Sequence, residues 1–267
     1  MRAYAGETAA LLTRHGKVEV LGPLFEAHLG CHLRVTSAFD TDRLGTFTRD
    51  VPRVGTQLEA ARKKAAIARD LCGVPLGVGS EGTLQPGPFG FGAWSVEIVC
   101  FTDGARGIEV VGRAHGPVPH VLGEAHSFEE ALRIAEQGGF PEHAVVVTGE
   151  GPPCKGIRSE AALREAARGS SFWVETDMRA HVHPTRMAIV AEAGLDLVHR
   201  LATACPSCGL PGFGVDGLVP GARCRACGGR TEEPAADVHA CVACRFRTVK
   251  NRADAWVPPE RCPRCNP

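Results

Sequence analysis

Eight cysteines crowded near the C-terminus constrain this chain more than any other feature of its sequence. The chain has 267 residues and 12 cysteines, and eight of these follow residue 204 as four CxxC pairs. The pairs are CPSC (205–208), CRAC (224–227), CVAC (241–244) and CPRC (262–265). The residues around them are rich in Gly, Pro and Arg and show no long helical period. A boundary is therefore predicted near 202–204, between a domain of residues 1–201 and a tail of residues 205–267.

The spacing of the pairs is typical of tetrahedral sites in which four thiolates hold one metal ion. C-x2-C-x15-C-x2-C and then C-x2-C-x17-C-x2-C both match zinc ribbons, with Gly209 and Gly228 suited to the tight turns. Sequential pairing is the simplest arrangement, a cross-braced pairing uses the same residues, and redox chemistry or disulfides are the alternative to metal. Sites saturated with cysteine have no open position for a reacting water, so both are expected to be structural. The predicted ligands of the two zinc ions in this tandem four-cysteine zinc-ribbon tail are Cys205, Cys208, Cys224, Cys227, Cys241, Cys244, Cys262 and Cys265.

The charge balance argues against nucleic acid or a membrane as the partner. The chain carries 30 basic and 30 acidic side chains. From residue 201 onward nine Lys/Arg and six Asp/Glu give +3, which two zinc–tetrathiolate units of about −2 each would turn into about −1. A local basic strip of Arg245, Arg247, Lys250 and Arg252 is the exception. No apolar run nears the roughly 20 residues of a membrane span, and Glu7 interrupts any export signal, so a cytoplasmic protein is expected.

Residues 1–201 alternate between strand-like and helix-like segments, which indicates a layered α/β domain. TQLE (56–59) is a capping box that opens a helix ending near Gly73, and SFEE (127–130) opens a second helix ending at Gly138. A third helix follows Pro184, and Pro23 predicts a kinked or short helix after Lys17. The predicted strands are 9–13, 33–37, 76–81, 94–101, 108–113, 144–148 and 172–176.

Two polar segments near the N-terminus could bind phosphate. TRHGK (13–17) joins a strand to a helix and offers backbone N–H groups and Lys17, although a solvated basic turn has the same composition. EAARKKA (59–65) places Glu59, Lys63 and Lys64 on the capped helix, where helix capping explains Glu59 equally well.

Two further polar segments lie at strand ends. In GSEGTL (79–84), Glu81 stands between small residues where open α/β sheets place ligands, with room for hydrated Mg²⁺; an ordinary turn is the alternative. ETDMRAHVHPTR (175–186) gathers Arg179, Thr185 and Arg186 beside a strand, and solvated charge is the alternative there.

Taken in chain order, these segments resemble the inosine/xanthosine triphosphate pyrophosphatase superfamily. TRHGK is similar to its T-x-N-x-x-K turn, keeping Thr13 and Lys17 with His15 for the asparagine and one residue fewer. EAARKKA is similar to E-N-A-x-x-K-A, with Ala60 for the asparagine. GSEGTL resembles the acidic strand-end motif, and PTRMAIVAEAGLDL the closing T-R helix. The resemblance covers about 1–115 and 180–201, so 116–179 is interpreted as an insertion. The whole chain also resembles an uncharacterised bacterial family with a C-terminal double zinc ribbon.

The resemblance implies a mixed-sheet α/β domain with two lobes, a cleft between them, and a Mg²⁺-dependent hydrolase of nucleoside triphosphates or related phosphoanhydrides. It implies that Glu59 and Glu81 hold Mg²⁺ and that Glu81 and Lys64 are catalytic. The residues implied to bind substrate are Thr13, His15, Lys17, Arg179, Thr185 and Arg186. The expected partner is a small phosphorylated ligand, a nucleotide, with a homodimer left open. The alternative is a non-catalytic module that binds nucleotide or RNA through the zinc ribbons.

Overall fold

The computed structural model describes residues 3–40 and 55–267. Its helices are α1 (Val18–Leu29), α2 (Gln57–Cys72), α3 (Phe128–Gln137), α4 (Glu160–Ala166) and α5 (Pro184–Ala202). The capping box opens α2, and a left-handed Gly73 closes it, as predicted. Pro23 lies inside α1 without ending the helix, which continues to Leu29 and closes at Gly30 with φ +64°. Pro23 therefore does not cut the helix short, and the predicted kink stays a prediction.

A five-stranded mixed sheet forms the centre of the first domain, which confirms the predicted α/β class. Its strands are β1 (Thr8–Leu12), β2 (His32–Thr36), β3 (Leu76–Pro86), β4 (Ala93–Asp103) and β5 (Ile108–Val118). The strand order is β2-β1-β3-β4-β5. The three strands β2, β1 and β3 run parallel, whereas β3, β4 and β5 form an antiparallel meander.

Helices cover both faces of this sheet because successive strand residues alternate in direction. Leu11 packs with α1 and α5 on one face, whereas Leu12 packs with α2 on the other. Two strand glycines bring α2 against the sheet backbone. An ideal Cβ at Gly79 would lie 2.0 Å from the carbonyl oxygen of Ala61, so only glycine fits there.

The unequal lengths of β1 and β3 create the place where the polar segments meet. The last register pair between them is Leu11 with Val78, and β3 then continues for eight residues to Pro86. The chain leaves β1 through the turn 13–17, and α1 begins directly after Lys17. The turn therefore lies at the carboxyl end of β1, beside the continuing edge of β3, in the position where open α/β sheets bind ligands.

The predicted insertion has its own sheet and its own apolar core. The strands β6 (Leu122–Ala125), β7 (Val145–Thr148), β8 (Cys154–Ile157) and β9 (Phe172–Thr176) pair antiparallel in the order β6-β9-β7-β8. Helices α3 and α4 pack against this sheet around Leu163, Phe172 and Val174. The sequence patterns predicted β7, β9 and α3, but not β6, β8 or α4.

The tail folds as short strands around its cysteines and packs on the end of α5. β10 (Phe213–Pro220), β12 (Pro234–Cys241) and β13 (Arg247–Asn251) form one antiparallel sheet, and β11 (Arg223–Cys224) pairs with β14 (Trp256–Val257). The backbone N–H of Gly212 donates to the carbonyl of Arg200 at 3.1 Å. A Cβ at Gly212 would lie 2.8 Å from Val110 of β5, so the tail contacts the central sheet directly.

No helix within the described residues is both long enough and apolar enough to cross a membrane.

Candidate functional site

The eight tail cysteines form two four-cysteine clusters that interleave along the chain. One cluster contains Cys205, Cys208, Cys241 and Cys244, and the other contains Cys224, Cys227, Cys262 and Cys265. The first CxxC pair therefore shares its cluster with the third pair, and the second with the fourth. Of the two pairings that the sequence left open, the structure has the cross-braced one.

The sulfur positions fit a tetrahedral metal ion. Four sulfurs each about 2.3 Å from a central ion lie about 3.8 Å apart. The Sγ atoms of Cys205 and Cys244 are 3.7 Å apart, and those of Cys224 and Cys265 are 3.8 Å apart. All four ligand atoms of each cluster lie within 4.8 Å of one another. Both clusters are therefore compatible with a structural metal ion.

Backbone N–H groups stabilise the thiolate form of Cys224, a buried cysteine of the second cluster. The N–H of Ala226 points to the sulfur of Cys224 at 3.4 Å. A hydrogen bond from the backbone of Cys227 is the largest influence that lowers the pKa of Cys224 to about 7. Hydrogen bonds with the side chains of Cys227 and Cys224 are the largest influences that raise the pKa of Cys265 to about 12. A bound cation would favour the thiolate form of the cysteines that hold it.

Three of the CxxC turns end in a residue with left-handed backbone. Gly209 has φ +76° and Gly228 has φ +69°, in agreement with the role predicted for these glycines. The third position is Arg245, with φ +62°. It is the single non-glycine residue with positive φ in the described part of the chain.

A second group of functional side chains lies at the carboxyl end of β1. Lys17 is 9% exposed, and its Nζ donates to Ser80 Oγ at 2.9 Å. Lys64 on α2 is paired with Glu81 on β3, with Nζ 2.5 Å from Oε2. The structure thus brings together three residues that the sequence motifs singled out from separate segments.

A fully buried ion pair lies behind these residues. Arg186 Nε donates to Glu97 Oε1 at 2.6 Å, and the same oxygen accepts from Ser95 Oγ at 2.8 Å. Arg186 also donates to the carbonyl of Met178. Gly82 makes room for the pair, since a Cβ there would lie 2.1 Å from Arg186 Nη2. Glu97 Oε2 has no hydrogen-bond partner within the described residues.

Burial and neighbouring charges together set the protonation of Lys17. Burial lowers the pKa of Lys17 to about 8, Glu97 and Glu81 oppose the shift, and Arg186 and Lys64 add to it. These five side chains, called the charged cluster below, comprise three cations and two carboxylates. With all of them ionised, the net charge of the charged cluster is +1.

Arg186 was predicted to bind substrate, and the structure buries it within the charged cluster, where it is 1% exposed. Its guanidinium donates to Glu97 and to the backbone carbonyl of Met178. Its own helix is capped by His183, whose Nδ1 accepts from the Arg186 N–H at 3.2 Å. Burial lowers the pKa of His183 to about 4, which keeps this cap neutral.

The other predicted substrate residues have different surroundings. The Thr13 hydroxyl accepts from the N–H of His15 at 3.2 Å and so shapes the turn. The ring of His15 stacks on His181, with centroids 4.7 Å apart. Thr185 Oγ1 lies 2.8 Å from His143 Nε2.

Arg179 makes a bidentate pair with Asp177, with Nη2 2.5 Å from Oδ2. Although burial disfavours the charged form, the hydrogen bonds from Arg179 lower the pKa of Asp177. The pair lies directly after β9, at the junction between the inserted sheet and α5.

Glu59 is occupied at the start of α2. Its carboxylate accepts from the backbone N–H of Thr56 at 2.6 Å, and this bond lowers the pKa of Glu59. The contacts of Glu59 therefore agree with the helix-capping interpretation. Glu81 has different partners: its side chain contacts Lys64, and its backbone carbonyl accepts from Gln57.

Sequence reasoning missed Glu97 and Ser80. Glu97 lies in the apolar run AWSVEIVCF, which is typical of a buried strand. A single carboxylate in such a strand predicts a buried partner of opposite charge, because an unpaired buried charge is costly. Ser80 belongs to the motif GSEGTL and lies on the face of β3 opposite Glu81, because strand residues alternate.

The interleaved pairing of cysteines makes a prediction about metal content. The double variant Cys208→Ser/Cys244→Ser damages one cluster and should retain one metal ion per chain. The matched variant Cys208→Ser/Cys227→Ser damages both clusters and should lose both ions after mild chelation. Elemental analysis of the two proteins distinguishes the two pairings. With sequential pairing, Cys208→Ser/Cys244→Ser would lose both ions and Cys208→Ser/Cys227→Ser would retain one.

The electrostatics of the charged cluster predict how the pKa of Lys17 responds to substitution. We expect an NMR titration of the Lys17 amine to have its midpoint near pH 8. Lys64→Met should raise this pKa, because it removes a neighbouring cation, and Glu97→Gln should lower it. Lys63→Met, on the exposed side of the same helix, is the control and should leave it unchanged. A Lys17 midpoint above pH 10 would contradict the lowering by burial, and a midpoint that neither substitution moves would show that these charges do not act on it.

A comparison with known families places most of this chain in one of them. A family model described as a domain of unknown function (DUF6671) matches residues 64–267. The match includes Lys64, Glu81, Glu97 and Arg186 of the charged cluster and all eight tail cysteines, whereas Lys17 precedes it. A search of curated proteins found no matching relative. Because the model covers more than half of the chain, the protein belongs to the DUF6671 family.

Proposed function

We propose that this protein is a Mg²⁺-dependent hydrolase of nucleoside triphosphates or a related phosphoanhydride, with a structural two-zinc tail. The observation that supports this most is the burial of Lys17 beside Lys64, Glu81, Glu97 and Arg186. Burying so many charges costs free energy unless each is paired, and such clusters concentrate at functional sites. Three cations against two carboxylates give the cluster a preference for an anion.

Lys17 and Lys64 are the proposed phosphate ligands. Ammonium groups in a water-poor site stabilise the negative charge that develops on phosphoryl oxygens more strongly than they would in bulk water. The N–H groups at the start of α1 add donors beside Lys17. The bond from Lys17 to Ser80 and the pair of Lys64 with Glu81 hold both amines in place before a ligand arrives.

The carboxylates of the charged cluster suit a hard cation. Mg²⁺ takes oxygen ligands and is held by one or two carboxylates together with substrate phosphates. Glu81 would supply such oxygens. Glu97 is paired with Gly82 and so lies on the opposite face of the sheet, where its Oε2 has no hydrogen-bond partner within the described residues. Bound Mg²⁺ would neutralise phosphate charge and activate a water. Glu81 is the proposed carboxylate that orients this water or takes its proton, and its ion pair with Lys64 holds it in position.

The architecture gives further support to the pyrophosphatase resemblance. A mixed sheet, a polar turn at the carboxyl end of β1 and an acidic residue on β3 occur in the order that the motifs imply. We propose that residues 1–201 share that superfamily's two-lobed fold, with the inserted sheet forming part of the second lobe. His15 and Arg179 would then contribute to substrate binding from the two sides of the cleft.

Zinc is the metal that we propose for both cysteine clusters. Thiolates are soft ligands that select zinc in a tetrahedral site, and a site filled by four cysteines is closed to substrate. Such a thiol-rich tail suits a reducing compartment, in agreement with the proposed cytoplasmic location.

The alternative function, a non-catalytic nucleotide- or RNA-binding module, receives less support from the tail. In the proposed basic strip, Arg247 is paired with Asp216 at 2.9 Å and Arg252 with Asp237 at 2.7 Å. These aspartates reduce the positive potential that would attract a polyphosphate backbone. A small phosphorylated ligand therefore remains the proposed partner.

The role of Glu81 can be tested by a substitution that keeps its size. Glu81→Gln should lower Mg²⁺-dependent triphosphate hydrolysis by about 10²-fold or more, because it removes the charge that holds the cation or takes the proton. Lys17→Ala should weaken substrate binding as well as turnover, since a phosphate ligand acts in both states. Rates are measured as pyrophosphate release, and circular dichroism checks the fold.

Glu109→Gln is the matched control for Glu81→Gln. Glu109 is a carboxylate of the same sheet, on β5, and its partner is the surface residue Arg62 at 2.7 Å. Its loss should leave the rate within about twofold of wild type, because it lies outside the charged cluster. Wild-type turnover in a folded Glu81→Gln protein would show that the catalytic assignment is wrong.

A further inference from the structure

A cavity lies between the C-terminal end of α5 and the first cysteine cluster. Its volume is about 190 Å³, and it lies where the tail joins α5. Its lining residues all come later in the chain than the members of the charged cluster. Gly214 and Ala240 keep it open, and a Cβ at Gly214 would lie 2.9 Å from Arg200 Cγ. The space is several times that of one water molecule, which occupies about 30 Å³ in the liquid.

Three arginines and one aspartate line this cavity, and a metal–tetrathiolate unit at Cys241 would add a charge of about −2 beside them. Arg200 from α5 faces Arg245 and Arg247 from the tail. Arg200 is partly neutralised by Asp196 at 3.0 Å, and Arg247 by Asp216 at 2.9 Å. Arg245 is exposed, and within the described residues its guanidinium has no ion pair or side-chain hydrogen bond.

The backbone of Arg245 is a second, independent observation. Its φ of +62° falls in the left-handed region, where two of the other CxxC turns have glycine. A non-glycine residue there is disfavoured by about 1 kcal/mol. Strain of this kind persists where the side chain has a use, and it is an observed outlier that motivates a functional hypothesis. Glycine would adopt this backbone conformation without strain, so the guanidinium group is the property that arginine contributes at this position.

Compensation of the metal cluster's own charge is the competing explanation for Arg245. A zinc–tetrathiolate unit carries about −2, and Cys241 borders the same cavity. That explanation accounts for a nearby cation but not for an open cavity with arginines converging on it from both α5 and the tail. Guanidinium groups bind carboxylate and phosphate oxygens through two parallel hydrogen bonds, and converging arginines are suited to this.

We propose that this cavity binds an oxyanion, a phosphate or carboxylate group of a ligand, through Arg245 with support from Arg200 and Arg247. The ligand would bridge α5 and the tail, so its binding would also stabilise the contact between the two parts of the chain. The site is separate from the charged cluster and does not depend on the proposed hydrolase activity.

The test uses the full metal-loaded chain carrying Lys17→Ala, so that the charged cluster does not dominate anion binding. Inorganic phosphate and succinate are titrated separately at constant ionic strength, and the Nε–H signals of the arginines are followed by NMR. We expect saturable shifts at Arg245 with at least one probe. Arg245→Gly should weaken this binding about tenfold or more, because it removes a charged hydrogen-bond donor. Tighter phosphate binding would identify a phosphorylated ligand, and tighter succinate binding a carboxylate.

Two further variants separate ligand binding from a structural role. Arg245→Gly should fold with an equal or higher Tm, because glycine relieves the backbone strain, while Arg245→Lys should keep part of the affinity. Arg230→Gln, an exposed arginine of the tail outside the cavity, should leave binding unchanged. The proposal is overturned if neither probe binds, or if Arg245→Gly binds as well as its parent. Loss of metal from Arg245→Gly with unchanged anion binding would also overturn it, in favour of charge compensation.

Discussion

The buried pair of Arg186 and Glu97 is the interaction on which the arrangement of the α/β domain depends. Two charges taken out of water cost several kcal/mol each, and removal of one partner would leave the other uncompensated. The surrounding structure meets this requirement with Ser95, the Met178 carbonyl and the space left by Gly82. The pair fixes the start of α5 against β4 and sets the potential around Lys17. This buried pair therefore constrains the positions of the other members of the charged cluster.

The metal clusters impose a comparable constraint on the tail. Because the pairs interleave, each cluster joins the first half of the tail to the second, and neither half can complete a cluster alone. Metal binding by such sites is worth about 10–16 kcal/mol per zinc ion at neutral pH, which is ample for a segment with few buried apolar residues. The tail is also joined to α5 by backbone hydrogen bonds, so metal binding would also order the surface that lines the cavity beside Arg200.

Sequence patterns predicted most elements whose signals are local. The capping box at Thr56, the left-handed Gly73 and the strand 172–176 follow from residue types at fixed short spacings. The eight cysteines that form the two clusters were recognisable for the same reason. The pairing of cysteines and the partner of Glu97 were not, because both depend on contacts between residues far apart in the chain. Arg186 shows the limit most clearly: a motif indicated its importance, but only the fold shows that it is buried.

The account rests on the claim that the charged cluster binds and cleaves a phosphoanhydride. The most direct measurement is pyrophosphate release by the wild-type, zinc-loaded protein from a panel of purine and pyrimidine nucleoside triphosphates, with Mg²⁺ and with chelator. The account predicts release from at least one triphosphate that requires Mg²⁺ and is lost on chelation of that ion. A folded, metal-loaded protein that releases no pyrophosphate from any member of the panel would contradict it.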